Sequence, residues 1–170
     1  KNNLQAVASL LRLQMRRGVP DEVKHLFQES LNRILTIASV HEVLSTTRLD
    51  VVNILQMVKK IGQMLVQNSD WLEKDIRISF SGHKVKLSSD KAVSLALVVN
   101  ELIQNSVEHA FAGRNRGEIF VDVERDNERV TVRVTDDGIG YSQFTDTDSL
   151  GMQIVKTLTE HDLSGTFSIS

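Results

Sequence analysis

Between Ala92 and Phe111, apolar residues recur at helical spacing: Leu95, Val98, Val99, Leu102, Ile103, Val107 and Ala110. A helix this apolar has to be buried, so the rest of the chain must supply its cover. Yet Glu101, Asn105, Glu108 and His109 fall at i, i+4, i+7 and i+8, which predicts one polar stripe along it. A buried helix carries a carboxylate, an amide and an imidazole in line only where they find partners. Those partners are either other side chains or a ligand in a cleft.

The length, 170 residues, suits one ordinary domain plus a small helical module. With 41% hydrophobic and 25% charged residues, the composition is that of a globular protein. A net charge of −2 argues against nucleic acid or an anionic membrane as partner. The absence of cysteine excludes disulfides and thiolate metal sites. No apolar run reaches the roughly 18 residues of a membrane span, and no signal peptide is recognisable, so no membrane contact is expected. The chain opens directly in helical sequence, which leads us to expect a preceding part.

Leu4, Val7, Ala8, Leu11 and Met15 mark an apolar stripe on a first helix, about Lys1 to Arg17. Gly18 suits its end, and Pro20, Asp21 and Glu22 suit the next start. A second stripe runs through Val23, Leu26, Phe27, Leu31, Ile34, Ala38, His41 and Leu44. The short connection predicts an antiparallel hairpin, and one hairpin has little core of its own. Pairing with a second copy into a four-helix bundle is therefore expected, against the alternative of packing on its own chain. His41, on the apolar stripe, is read as a packed residue rather than a reactive one.

Asp50 is expected to cap a third helix from Val51 to about Val66. Ile76, Ile78 and Phe80 alternate with polar residues as a short strand, and Val85 and Leu87 suggest another. After the long helix the period becomes two. Ile119, Val121 and Val123, then Val130, Val132 and Val134, form a hairpin with one face on the core. The next inward position is Asp136, a carboxylate that needs a donor, with no obvious one nearby. A salt bridge or a turn cap would satisfy it as well as a ligand would.

Gly138 and Gly140 follow, letting the backbone turn and something approach. Tyr141–Ser149 reads as a mobile loop rich in Ser, Thr and Asp. Ser149 is expected to cap a helix beginning near Leu150, where Gly151 leaves first-turn amides uncovered for phosphate. Gly165 to Ile169 is expected to start a last strand. Taken together, these features describe a purine-triphosphate pocket. Asp136 would accept from an exocyclic amine, Asn105 would offer an oxygen to Mg²⁺, and the loop would close over the phosphates. The Gly-x-x-x-x-Gly-Lys-Ser/Thr phosphate loop is not in the sequence.

Lys1-Asn2-Asn3-Leu4-Gln5 matches the last five positions of His-x-x-Lys-Asn-Asn-Leu-Gln, the dimerisation motif of one branch of the sensor histidine kinases. Asn100-Glu101-Leu102-Ile103-Gln104-Asn105, with His109-Ala110-Phe111, resembles the family's asparagine box. Asp136-Asp137-Gly138-Ile139-Gly140 and Leu150-Gly151-Met152 resemble its two glycine boxes. The resemblance spans nearly the whole chain in the right order. It implies an α+β architecture: a dimerisation and histidine-phosphotransfer hairpin over residues 1–48, then a two-layer α/β sandwich over 49–170 that binds ATP and Mg²⁺. This sandwich is of the gyrase and Hsp90 type.

The same resemblance implies that Asp136 binds the adenine amine and Asn105 the Mg²⁺. It also implies that Glu101 polarises the attacking group and that His109 lines the pocket. Gly138, Gly140, Leu150 and Gly151 would shape pocket and lid. The γ-phosphoryl group would pass to a histidine and then to an aspartate of a response regulator receiver domain, in the cytoplasm. The motif's histidine would lie three residues before Lys1. Glu108 stands where the family often has lysine, Asp137 where asparagine is usual, and Ser164 where glycine is common. A serine-directed kinase of the same ATPase superfamily, or a degenerate dimeric module, is the competing expectation.

Overall fold

A computed structural model of the chain describes residues 2–15, 20–47, 51–68, 75–140 and 149–170. Two helices come first, α1 (Asn2–Met15) and α2 (Asp21–Thr47). They pack on each other, and the short segment between them makes them a hairpin. The Pro20 carbonyl accepts from the Val23 and Lys24 amides, closing the first turn of α2. Gly18 and Asp50, expected at element ends, lie outside the described residues, as does the loop of residues 141–148.

The third helix is shorter at its start than the sequence suggests. Val51–Asn53 is a strand, β1, and α3 runs Ile54–Asn68. β1 pairs antiparallel with β3 (Lys86–Ser88), Val52 opposite Leu87. A Val-Val pair reads equally as a helix start or a strand. The partner strand more than thirty residues on decides it. The Asn53 side chain accepts from the Gln56 amide, so it takes the capping position expected of Asp50.

The main sheet has the order β2-β4-β5, formed by Asp75–Gly82, Arg116–Asp126 and Arg129–Asp136. β2 and β4 are parallel, and β4 and β5 antiparallel. The turn between β4 and β5 has Asn127 at φ +50°, a conformation asparagine tolerates in tight hairpins. Helix α4 (Ser89–Asn105) lies between α2 and the sheet layer, and α5 (Leu150–Thr157) beside it. Ile119, Val121 and Val123 of β4 meet Ile103, Val107 and Phe111, all buried. Each such aliphatic side chain contributes about 1.5–3 kcal/mol by leaving water.

Gly165–Ser170 forms no strand. Ser164 takes φ +52°, and the Gly165 amide bonds the Thr159 carbonyl, which turns the chain at the end of the α5 region. Apolar alternation makes a strand only where a neighbouring edge receives its backbone groups. Among the described residues, no helix is long and apolar enough to cross a membrane.

Candidate functional site

Beyond Asn105 the long helix widens into a π-helical turn, Ser106–Ala110. The altered turn breaks the predicted stripe. Glu108 and His109 are exposed, while Glu101 is buried and Asn105 half-buried. The wide turn also carries Ser106 to Asp136, whose position at the end of β5 is fixed by pairing with Ile119. Ser106 Oγ donates to Asp136 Oδ2 at 2.8 Å, and the Gly138 amide donates to Oδ1 at 3.1 Å. The inward carboxylate thus has two donors, one of them only two residues away. Each of its oxygens keeps a further lone-pair direction for an incoming N–H.

Gly138 is required by space. A Cβ there would lie 2.4 Å from both the Cβ and the carbonyl oxygen of Ala110. The Ile139 amide bonds that same carbonyl at 3.0 Å. Gly140 is required by conformation, at φ +79° with open space around it. Asp137, exposed, ties the segment to β4. Its Oδ1 accepts from the Glu118 amide at 2.8 Å, and its carbonyl accepts from Arg114 at 2.7 Å.

Asn105 faces α5, where its Nδ2 lies 3.1 Å from Met152 Sδ. With the amide nitrogen so placed, Oδ1 is the atom left to offer a cation. Ser149 caps α5 as expected, its Oγ accepting from the Met152 amide at 3.4 Å. Leu150 is exposed. Ser149→Ala should cost about 1 kcal/mol by the usual worth of such a cap, read as a lowered midpoint in urea.

Glu101 is engaged from an unexpected side. Arg33 of α2 grips it bidentately, Nε to Oε1 at 2.8 Å and Nη2 to Oε2 at 2.7 Å. Their side chains are 16% and 5% exposed, so the pair is largely desolvated. The Arg33 guanidinium is held above its ordinary value, first by the hydrogen bond to Glu101 and against the opposing effect of burial. Asn100 Nδ2 also reaches Glu101 Oε1, at 3.2 Å, and Gln104 Oε1, at 3.0 Å. Thr36 Oγ1 donates to Asn100 Oδ1 at 2.9 Å. A Cβ built on Gly151 would stand 2.8 Å from Glu101 Oε2 and 4.0 Å from Arg33 Nη2. The carboxylate therefore lies where hairpin, long helix and the start of α5 converge.

Ser106 and Arg33 join the site although neither stands out in the sequence as a site residue. Glu29, Arg33 and Thr36 recur at i, i+4 and i+7 beside the apolar residues of α2, a polar row that signals a polar neighbour. Ser106, inside the apolar run, is signalled only by being polar there.

Two family models match the chain. A histidine kinase model of the HisKA_2 type covers residues 1–69, and a model for histidine kinase-, DNA gyrase B- and HSP90-like ATPases covers residues 90–170. The chain is 38% identical to the sensor histidine kinase PdtaS of Mycobacterium tuberculosis over 99% of its own length and 34% of that protein's. It thus spans about a third of the length of this relative. It is also 35% identical to the serine-protein kinase RsbW of Listeria innocua, over 44% of this chain and 49% of that one. Among solved structures, the histidine kinase domain of the Erythrobacter litoralis EL346 blue-light activated histidine kinase superposes with a TM-score of 0.70 at 21% identity. That match covers 94% of this chain and 76% of that one, and it supports the α+β fold.

Proposed function

The chain belongs to the histidine kinases of the HisKA_2 type joined to a gyrase- and HSP90-like ATPase unit, and from that premise we propose that it is the catalytic core of a two-component sensor kinase. Residues 49–170 bind Mg-ATP, and residues 1–48 carry the hairpin of dimerisation and phosphotransfer. The single observation that carries this reading is the half-buried Asp136 carboxylate. It is fixed by the Ser106 hydroxyl and by the amide of Gly138, a glycine with no room for a side chain.

The residues present fit the ligand. Asp136 accepts from the exocyclic amine of adenine, and Gly138 lets the segment after Asp136 pack against Ala110. Gly140, Leu150 and Gly151 frame the phosphates, with the α5 amides facing negative charge. Mg²⁺, when bound, neutralises charge on the phosphate oxygens, and Asn105 Oδ1 is the protein atom that would hold it. Exposed His109, next to Ala110, borders the adenine end. A neutral imidazole nitrogen attacks the γ-phosphorus, an N–P bond forms, the bond to the bridging oxygen breaks, and ADP leaves. Glu101 orients the attacking group. An aspartate of a receiver domain then takes the phosphoryl group. The requirement for ATP sets this reaction in the cytoplasm.

The hairpin leaves Val7, Leu10, Leu13, Val23 and Leu26 exposed, between 37% and 61%. An apolar row of this kind supports pairing with a second copy, even though α2 also packs on its own chain. The similarity to RsbW favours a second reading, a serine-directed kinase, but it leaves more than half of the chain uncovered. Titration of the full-length protein with ATP tests the pocket. Binding should strengthen with Mg²⁺, and Asn105→Ala should abolish that strengthening. Affinity insensitive to Mg²⁺ in the parent protein would remove Asn105 from this role.

A further inference from the structure

The Arg33–Glu101 pair, with the Thr36–Asn100 hydrogen bond beside it, ties the hairpin to the long helix. It joins α2 to the residue proposed to orient the attacking group, beside the helix start proposed for the phosphates. Arg33 lies about as far into α2 as Asn2 lies from the end of α1. In a hairpin, that puts Arg33 level with the N-terminal end of α1. The expected acceptor histidine, upstream of Lys1, would continue α1 by about one further turn. The pair therefore holds the phosphate end of the pocket near the acceptor's level on the hairpin.

We infer that Arg33 is a positioning residue for phosphoryl transfer: its bidentate grip on Glu101 docks the phosphate end of the nucleotide pocket against the hairpin at the acceptor's level. The inference rests on the histidine-kinase reading. The fork geometry matters, since two parallel N–H donors fix both distance and orientation, whereas one ammonium fixes only distance. Thr36 and Asn100 extend the same contact with a buried hydrogen bond. The adenine end, formed by Asp136, Ser106 and Gly138, lies outside this contact. Docking and nucleotide affinity are therefore separable.

The test uses full-length protein and γ-labelled ATP, with parent, Arg33→Ala, Arg33→Lys and Thr36→Val compared. Arg33→Ala should lower the rate of histidine labelling at saturating ATP by about 100-fold, the scale of a one-ångström misplacement, with KM for ATP unchanged. Arg33→Lys should recover part of the rate, and Thr36→Val should lose much less than Arg33→Ala. A rate that is unchanged or faster in Arg33→Ala overturns the inference, the latter making the pair a brake. A rise in KM matching the loss of rate also overturns it, because the pocket itself would then have changed. If Arg33→Ala does not fold, the lysine variant decides: full activity there removes the need for a fork. A parent protein that binds ATP but shows no histidine label fails the histidine-kinase reading first, and this inference falls with it.

Discussion

Asp136→Ala should weaken ATP binding by about 10- to 100-fold, the equivalent of a hydrogen bond to a charged group worth about 1.5–3 kcal/mol. Its two present donors are Ser106 Oγ at 2.8 Å and the Gly138 amide at 3.1 Å. Alanine leaves both without their acceptor and removes the group proposed to meet the adenine amine. Asp136→Asn separates the two effects. An amide oxygen still accepts from Gly138 and an amide nitrogen still meets Ser106, so stability should stay near the parent's. The amide then has its nitrogen where the second carboxylate oxygen was, and ATP affinity should still fall. Calorimetric titration with ATP alongside thermal melting reads both. Equal ATP affinity in Asp136→Asn and the parent would mean that this carboxylate does not read the base.

Gly138→Ala should lower stability by about 3–5 kcal/mol, from overpacking at about 1–3 kcal/mol and two strained hydrogen bonds at about 1 kcal/mol each. The new Cβ would meet the Ala110 carbonyl oxygen at 2.4 Å, and backbone cannot swing aside as a side chain can. The segment must move out. That loosens the Ile139 amide from Ala110 and the Gly138 amide from Asp136. For a chain of this size the melting temperature should fall by about 6–20 °C, at about 2–4 °C per kcal/mol. Gly140→Ala is the control. It meets open space and costs only its left-handed φ, about 1–2 kcal/mol. A Gly138→Ala melt no lower than that of Gly140→Ala would contradict the close approach.

The features legible in sequence are those with a short-range signal. The long helix follows from its own periodicity, the β4–β5 hairpin from alternation, and the inward Asp136 from parity. The Ser149 cap follows from a local rule. What stayed hidden depends on distant partners. β1 is a strand because β3 receives it, whereas Gly165–Ser170 pairs with no strand among the described residues. The π-helical turn that splits Glu101 and Asn105 from Glu108 and His109 leaves no mark in a pattern read at 3.6 residues per turn. Arg33 and Glu101 meet only because α2 crosses α4 at one place, which neither stripe specifies alone.

The proposed reaction is transfer of a phosphoryl group from ATP to a histidine. Full-length protein incubated with γ-labelled ATP and Mg²⁺ gives the direct measurement, with the label challenged by acid and by alkali and Asn105→Ala run in parallel. A label lost in acid, kept in alkali and missing from Asn105→Ala is the predicted result. An acid-stable label on a hydroxyl, or no label despite measurable ATP binding, would contradict histidine phosphorylation and favour the serine-directed or degenerate reading.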